Sequence, residues 1–220
     1  MKPTIVLLIV IVSVAVSCQL QGTDNIKQVK PVFDSFQGKD GINSRFSDEY
    51  EKCRSLISRQ SFKDAEDFCR LSLSYAEELP NENYLKRYNA QKAVGTVLLR
   101  RIQPSDAIQF LEEALMTGKR VPDDTNLELG EVYFLLGQAH YQLHNLDKTL
   151  DFYARAEDTY RSAFQNVDDN EIRSRYAGML LWILEIHSVV LEEANMKDEA
   201  VEVELRIYKT RKEYAKYLKN

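Results

Sequence analysis

A chain of 220 residues with 44% hydrophobic side chains, 29% charged side chains and a net charge of −5 has apolar mass for a sizeable core. It is too charged for a membrane-embedded body. No basic cluster supplies the electrostatic footprint of a nucleic-acid binder, so DNA and RNA are not expected partners.

The N-terminus differs from the rest. Met1-Lys2-Pro3 leads into an apolar run from Ile5 to Val16, broken only by Ser13. That run of 12 residues is short of the ~20 that a helix needs to cross a bilayer. A positive start, an apolar middle and small residues after it describe a secretory signal peptide over residues 1–17. Its end, Ala15-Val16-Ser17-Cys18, resembles the lipobox of bacterial lipoproteins. That resemblance implies cleavage before Cys18, diacylglycerol on its sulfur and a membrane anchor. Gln19 after the cysteine points, by the same analogy, to the outer membrane facing the periplasm. The alternative is ordinary signal-peptidase cleavage with an incidental Cys18, which would give a secreted protein.

Residues 18–45 follow, with Gly22, Gly38 and Gly41, many polar side chains and no sustained apolar period. This stretch is expected to be a flexible, lipid-anchored tether. As a coil it would reach about 30 Å, enough to hold a folded body clear of the headgroups.

From residue 46 to 220 the pattern changes to apolar residues three and four apart, the period of a helix. Helices are expected near 47–60, 62–78, 82–102, 104–118, 124–143, 146–165, 169–194 and 197–218. Asp124-Thr125 and Asp168-Asp169 are candidate helix starts, because their side-chain oxygens can accept the orphan backbone N–H groups.

The helical region repeats. Small residues recur 12 positions apart as Cys53 and Ala65, Gly95 and Ala107, Gly137 and Thr149, Ser188 and Ala200. Leu56, Leu98, His140 and Leu191 follow the first members, and Ser72, Ala114, Ala156 and Ile207 follow the second. The register advances by 42, 42 and 51 residues, which places an insertion near 161–172. Two helices approach closely only where both present small side chains, so each pair marks a crossing inside one hairpin. A single hairpin leaves an apolar face exposed, and stacking the hairpins buries it.

The stretch Leu136-Gly137-Gln138-Ala139-His140-Tyr141, with Asn145 to Ala156 after it, closely resembles the tetratricopeptide repeat. The usual period of that family is about 34, and the longer spacing resembles the long-helix variety of kinesin light chain. The resemblance runs from about Ser47 to Leu218. It implies an all-α stack of four hairpins, about eight helices, forming a short right-handed superhelix. Thr149 and Ile207 depart from the small residues of their columns.

Little in the sequence suggests catalysis. His140 and His144 are four apart and could form half of a zinc site, but no third ligand stands at a fixed spacing. Cys53 and Cys69 belong to one hairpin and would meet an oxidising compartment if exported. With Cys53 opposite Ala65, Cys69 should lie a further turn away, which favours two small buried core residues over a disulfide. No catalytic residue, metal site or cofactor is expected.

In the tetratricopeptide family the first helix of each hairpin lines a concave surface that holds a peptide or helix. Carried onto this sequence, that groove would comprise Tyr50 and Arg54, then Lys92, Thr96 and Arg100, then Phe134, Gln138 and Tyr141. Ile57, Ser58, Leu99, Gln142, Glu185, Val189, Glu192 and Glu193 would accompany them. Alternatively, Phe134 and Ile57 pack between neighbouring hairpins. The leading expectation is a non-enzymatic interaction scaffold or assembly factor of the bacterial cell envelope, binding an envelope protein or peptide, as fold-level analogy with type IV pilus pilotins suggests. A self-associating structural lipoprotein and an envelope enzyme with an unrecognised site are the alternatives.

Overall fold

The computed structural model describes residues 38–80, 83–121 and 126–218. The expected signal segment, Cys18, most of the expected tether and the candidate start Asp124-Thr125 lie outside them. The chain divides between Arg45 and Phe46, and the repeat array belongs to Phe46–Asn220.

Among the described residues the chain forms eight helices and no strand. They are α1 (Gly38–Ser58), α2 (Phe62–Glu78), α3 (Tyr84–Arg100), α4 (Pro104–Gly118), α5 (Asn126–Gln142), α6 (Leu146–Asn166), α7 (Asn170–Glu193) and α8 (Lys197–Glu213). The helix α1 starts upstream of the expected 47, so residues 38–45 of the expected tether are helical. A helix nucleated by packing propagates through polar residues at small cost, without any apolar period to announce it. Asp169 does cap α7, its carboxylate accepting the Ile172 N–H at 2.9 Å.

The two pairs led by glycine lie at the crossings, as their spacing predicts. A Cβ placed on Gly95 would meet Leu111 Cγ at 2.7 Å, and one on Gly137 would meet Tyr153 Cδ1 at 2.5 Å. The Ala107 and Thr149 carbonyl oxygens each lie 3.4 Å from those positions. Thr149 substitutes for alanine there because its hydroxyl donates to the Asn145 carbonyl at 2.8 Å, within the α6 N-terminus. Ile207, the other departure, is buried as well.

All four hairpin turns share one form. Gln60, Ile102, His144 and Asn195 have φ near 60°, and they follow the 42, 42, 51 register of the helices. The next N–H in each case reaches back to the carbonyl five residues earlier, in Ser61–Leu56, Gln103–Leu98, Asn145–His140 and Met196–Leu191, all at 2.9 Å. These bonds satisfy carbonyls that a helix end leaves free. Ile102 is the misfit. Its branched Cβ opposes the left-handed backbone, and at 78% exposure it gains nothing from packing. Asparagine, present at the equivalent Asn195, tolerates this conformation. Ile102→Asn is therefore expected to stabilise the array by roughly 1 kcal/mol, read from the urea midpoint; a lower midpoint would refute it.

The nine-residue lengthening before the last hairpin is absorbed as helix. The helices α6 and α7 have 21 and 24 residues, against 15 and 17 for α4 and α3. Aromatic side chains fill the added turns. Phe164 stacks on Tyr214 at 3.9 Å and meets the edge of Tyr217 at 5.3 Å. To place both tyrosines there the chain leaves the helix after Glu213, so α8 ends before the expected 218.

The cysteine expectation is corrected. Cys53 and Cys69 are both fully buried and joined in a disulfide, with Cα atoms 5.0 Å apart. The turn separating Cys69 from Ala65 is a rise of only about 6 Å. Residues four apart also share a helix face, so Cys69 remains within reach of Cys53 across a close crossing.

Candidate functional site

Three first helices, α3, α5 and α7, border a half-open cavity of about 460 Å³. Leu99 and Arg100 close it on the α3 side, and Gln138, Tyr141 and Gln142 line the α5 side. From α7 come Trp182, Glu185, Ile186, Val189 and Val190, and Tyr153 of α6 contributes from behind. Gln142 also ties two walls together, donating to the Leu99 carbonyl at 3.4 Å.

Of the expected groove residues, Arg100, Gln138 and Tyr141 therefore converge, with Gln142, Glu185 and Val189 beside them. Gln138 is half-buried, and its Oε1 has no hydrogen-bond partner. Tyr50, Arg54, Lys92 and Thr96 do not line the cavity. Tyr50 stacks on Phe46 at 5.4 Å, with the Arg54 guanidinium 6.0 Å from its ring. Arg54 also lies 3.6 Å from Glu51. Lys92 is largely covered and pairs with Glu131 of α5 at 2.7 Å, making it an inter-hairpin tie. The Thr96 hydroxyl donates to the Lys92 carbonyl at 2.8 Å.

Phe134 is a core residue. It is 2% exposed, stacked on Tyr153 at 5.4 Å and set 4.4 Å from Trp182. Trp182 was not among the expected residues. It is the chain's single tryptophan, 40% exposed, one turn before Glu185. The first-helix columns extended back by that turn would have reached it, at a position held elsewhere by Ser47, Asn89 and Glu131.

Charge around the cavity is uneven. Glu185 pairs with Arg211 at 2.6 Å. Glu193 accepts the Tyr141 hydroxyl, and this bond holds the phenol protonated above its ordinary range. Among the described residues Arg100 is exposed and has no ionic partner. The site thus presents one uncommitted cation beside the Tyr141 and Trp182 rings and the apolar Val189.

The histidines do not form a metal site. His140 is buried and stacks on Phe152 at 5.4 Å, whereas His144 lies beyond the helix end on a left-handed turn. The shared face implied by their spacing is lost there. Burial, with Arg206 nearby, lowers the His187 pKa to about 4, so this ring is a neutral core group. Its neighbour Tyr153 meets it edge-on at 6.0 Å. Among the described residues no group of three or more His, Cys, Asp or Glu side chains is placed to hold a metal.

No family model and no curated protein matches the sequence. Solved structures do resemble the fold. The TPR domain of Arabidopsis FLU aligns with a TM-score of 0.51 at 18% identity, covering 55% of this chain and 98% of its own. BtubC (BKLC) from P. vanneervenii aligns with a TM-score of 0.62 at 18% identity, covering 80% of this chain and 66% of its own. At these identities the likeness concerns architecture, and the architecture is a tetratricopeptide-like array of helical hairpins.

Proposed function

We propose that this protein is a non-enzymatic scaffold that holds a segment of another protein between α3, α5 and α7. The observation that carries the proposal is the cavity whose rim offers Arg100 without an ionic partner beside exposed Tyr141 and Trp182. An apolar anchor can enter between the rings, and a neighbouring carboxylate can take a bidentate bond from the guanidinium. The partner segment is therefore an apolar or aromatic residue adjacent to Asp or Glu. Protein partners suit a repeat array of this kind, in which stacked hairpins build an extended surface.

The compartment belongs to the same proposal. Residues 1–17 act as an export signal, Cys18 carries the lipid, and the array works at the cell envelope, in assembly at the outer membrane. The Cys53–Cys69 disulfide supports export, since such bonds persist in oxidising compartments.

Trp182 makes the proposal testable without a label. Short peptides pairing Phe or Leu with Asp or Glu are expected to shift its fluorescence. Lysine-containing counterparts should bind roughly tenfold more weakly. Arg100→Ala should abolish that preference while leaving the thermal midpoint unchanged, because the side chain is exposed. If acidic and basic peptides bind equally, or Arg100→Ala changes nothing, this cavity is not the recognition site.

A further inference from the structure

The outer face of α8 is unlike the polar surface expected where a repeat helix meets only water. Val201, Leu205 and Tyr208 are 64%, 50% and 64% exposed. Their spacing of four and three places them on one stripe. The opposite face of α8, with Ala200, Val203, Ile207 and Thr210, is buried. The exposed stripe is thus additional to the one that holds the helix in the array.

The charges along the stripe are ordered. Asp198 and Glu202 flank its N-terminal half, and Lys209 and Lys212 its C-terminal half. All four are exposed, and none forms an ion pair among the described residues. Asp198 and Lys212 stand equally far from Leu205 on either side, and Glu202 and Lys209 nearly so. Reversing the helix about Leu205 brings Asp198 over Lys212 and, to within one residue, Glu202 over Lys209 and Val201 over Tyr208. Parallel pairing would set acid on acid and base on base.

We propose that this face is a homodimer interface in which two copies pair α8 antiparallel about Leu205. Asp198 and Glu202 of each copy then meet Lys212 and Lys209 of the other. This arrangement is isologous: one patch is complementary to itself under a two-fold rotation. Acids in the first turn and bases in the last also suit the helix dipole; it is their placement on either side of an exposed apolar centre that makes the face complementary to a second copy of itself. No residue of α8 lines the cavity between α3, α5 and α7, so pairing leaves that site accessible.

The test is sedimentation of the full chain in non-ionic detergent, with charge exchange as the probe. A pairing through one helix from each copy falls at the weak end of interface sizes, so dimerisation is expected at concentrations on the order of 10 µM. Glu202→Lys and Lys209→Glu should each weaken self-association roughly tenfold or more, because each sets like charges together twice. An equal mixture of the two variants should restore a dimer containing one copy of each, since every contact is again between opposite charges. Asp198→Lys and Lys212→Glu form a second such pair, for use if either first variant misfolds by circular dichroism. A wild-type chain that is monomeric at about 100 µM, well above the range of such an interface, would overturn the proposal. So would single variants that associate like wild type, or a mixture that fails to pair.

Discussion

Replacing Gly137 with leucine should lower the stability of the array by about 3 kcal/mol, the upper end of overpacking costs. Even a methyl group at this position would stand 2.5 Å from two ring atoms of Tyr153. That ring has little room to move except toward the cavity it lines. It is 1% exposed, stacked against Phe134 on one side and bordered by His187 on another. The remaining adjustment is to separate α5 from α6, which would open the hairpin at its tightest point. Gly178 supplies the control, since a Cβ there meets nothing within 4 Å. Alanine at that helical position should raise stability by roughly 1 kcal/mol through propensity alone. Urea denaturation of the three proteins separates the two effects. A Gly137→Leu midpoint equal to wild type would show that α5 and α6 do not cross there.

Loss of the disulfide should cost a comparable amount. Cys53 and Cys69 are 16 residues apart, and in the chain-entropy account a loop of that length restrains the unfolded state by about 3 kcal/mol. The double substitution Cys53→Ala and Cys69→Ala removes the bond while leaving small apolar side chains at the crossing. Its thermal midpoint should fall, and reductant should lower the wild-type midpoint but not that of the variant. If reductant leaves the wild type unmoved, the two sulfurs are not bonded in the folded protein.

The repeat was legible in the sequence because close helix crossings admit few side chains. Gly95 and Gly137 announce themselves at any distance from their partners, and the 42-residue register follows from them. The candidate cavity was legible in part for a related reason: the same register fixes which first-helix positions share a side, and Arg100, Gln138 and Tyr141 line one cavity. Register does not fix depth. Phe134 belongs to an expected groove column, yet the lengthened α7 brings Trp182 over it and seals it into the core. Lys92 is spent on Glu131 because α3 and α5 approach closely, a distance that no spacing within one helix records. The disulfide was missed for a similar reason, since one helical turn looks longer along the chain than it is across a tight crossing.

Packing in this array is almost entirely between helices adjacent in the chain, with α3 against α5 as the added contact. Contacts so local require little loop closure, which favours rapid folding. They also allow stability to vary along the array, because one end can open without pulling down the other. The covalent link sits in the first hairpin, so the two ends are not equivalent. Hydrogen bonds near α1 and α2 should open more rarely than those of the hairpins without a covalent link. A second copy bound along α8 would then restrain a hairpin that has no such link.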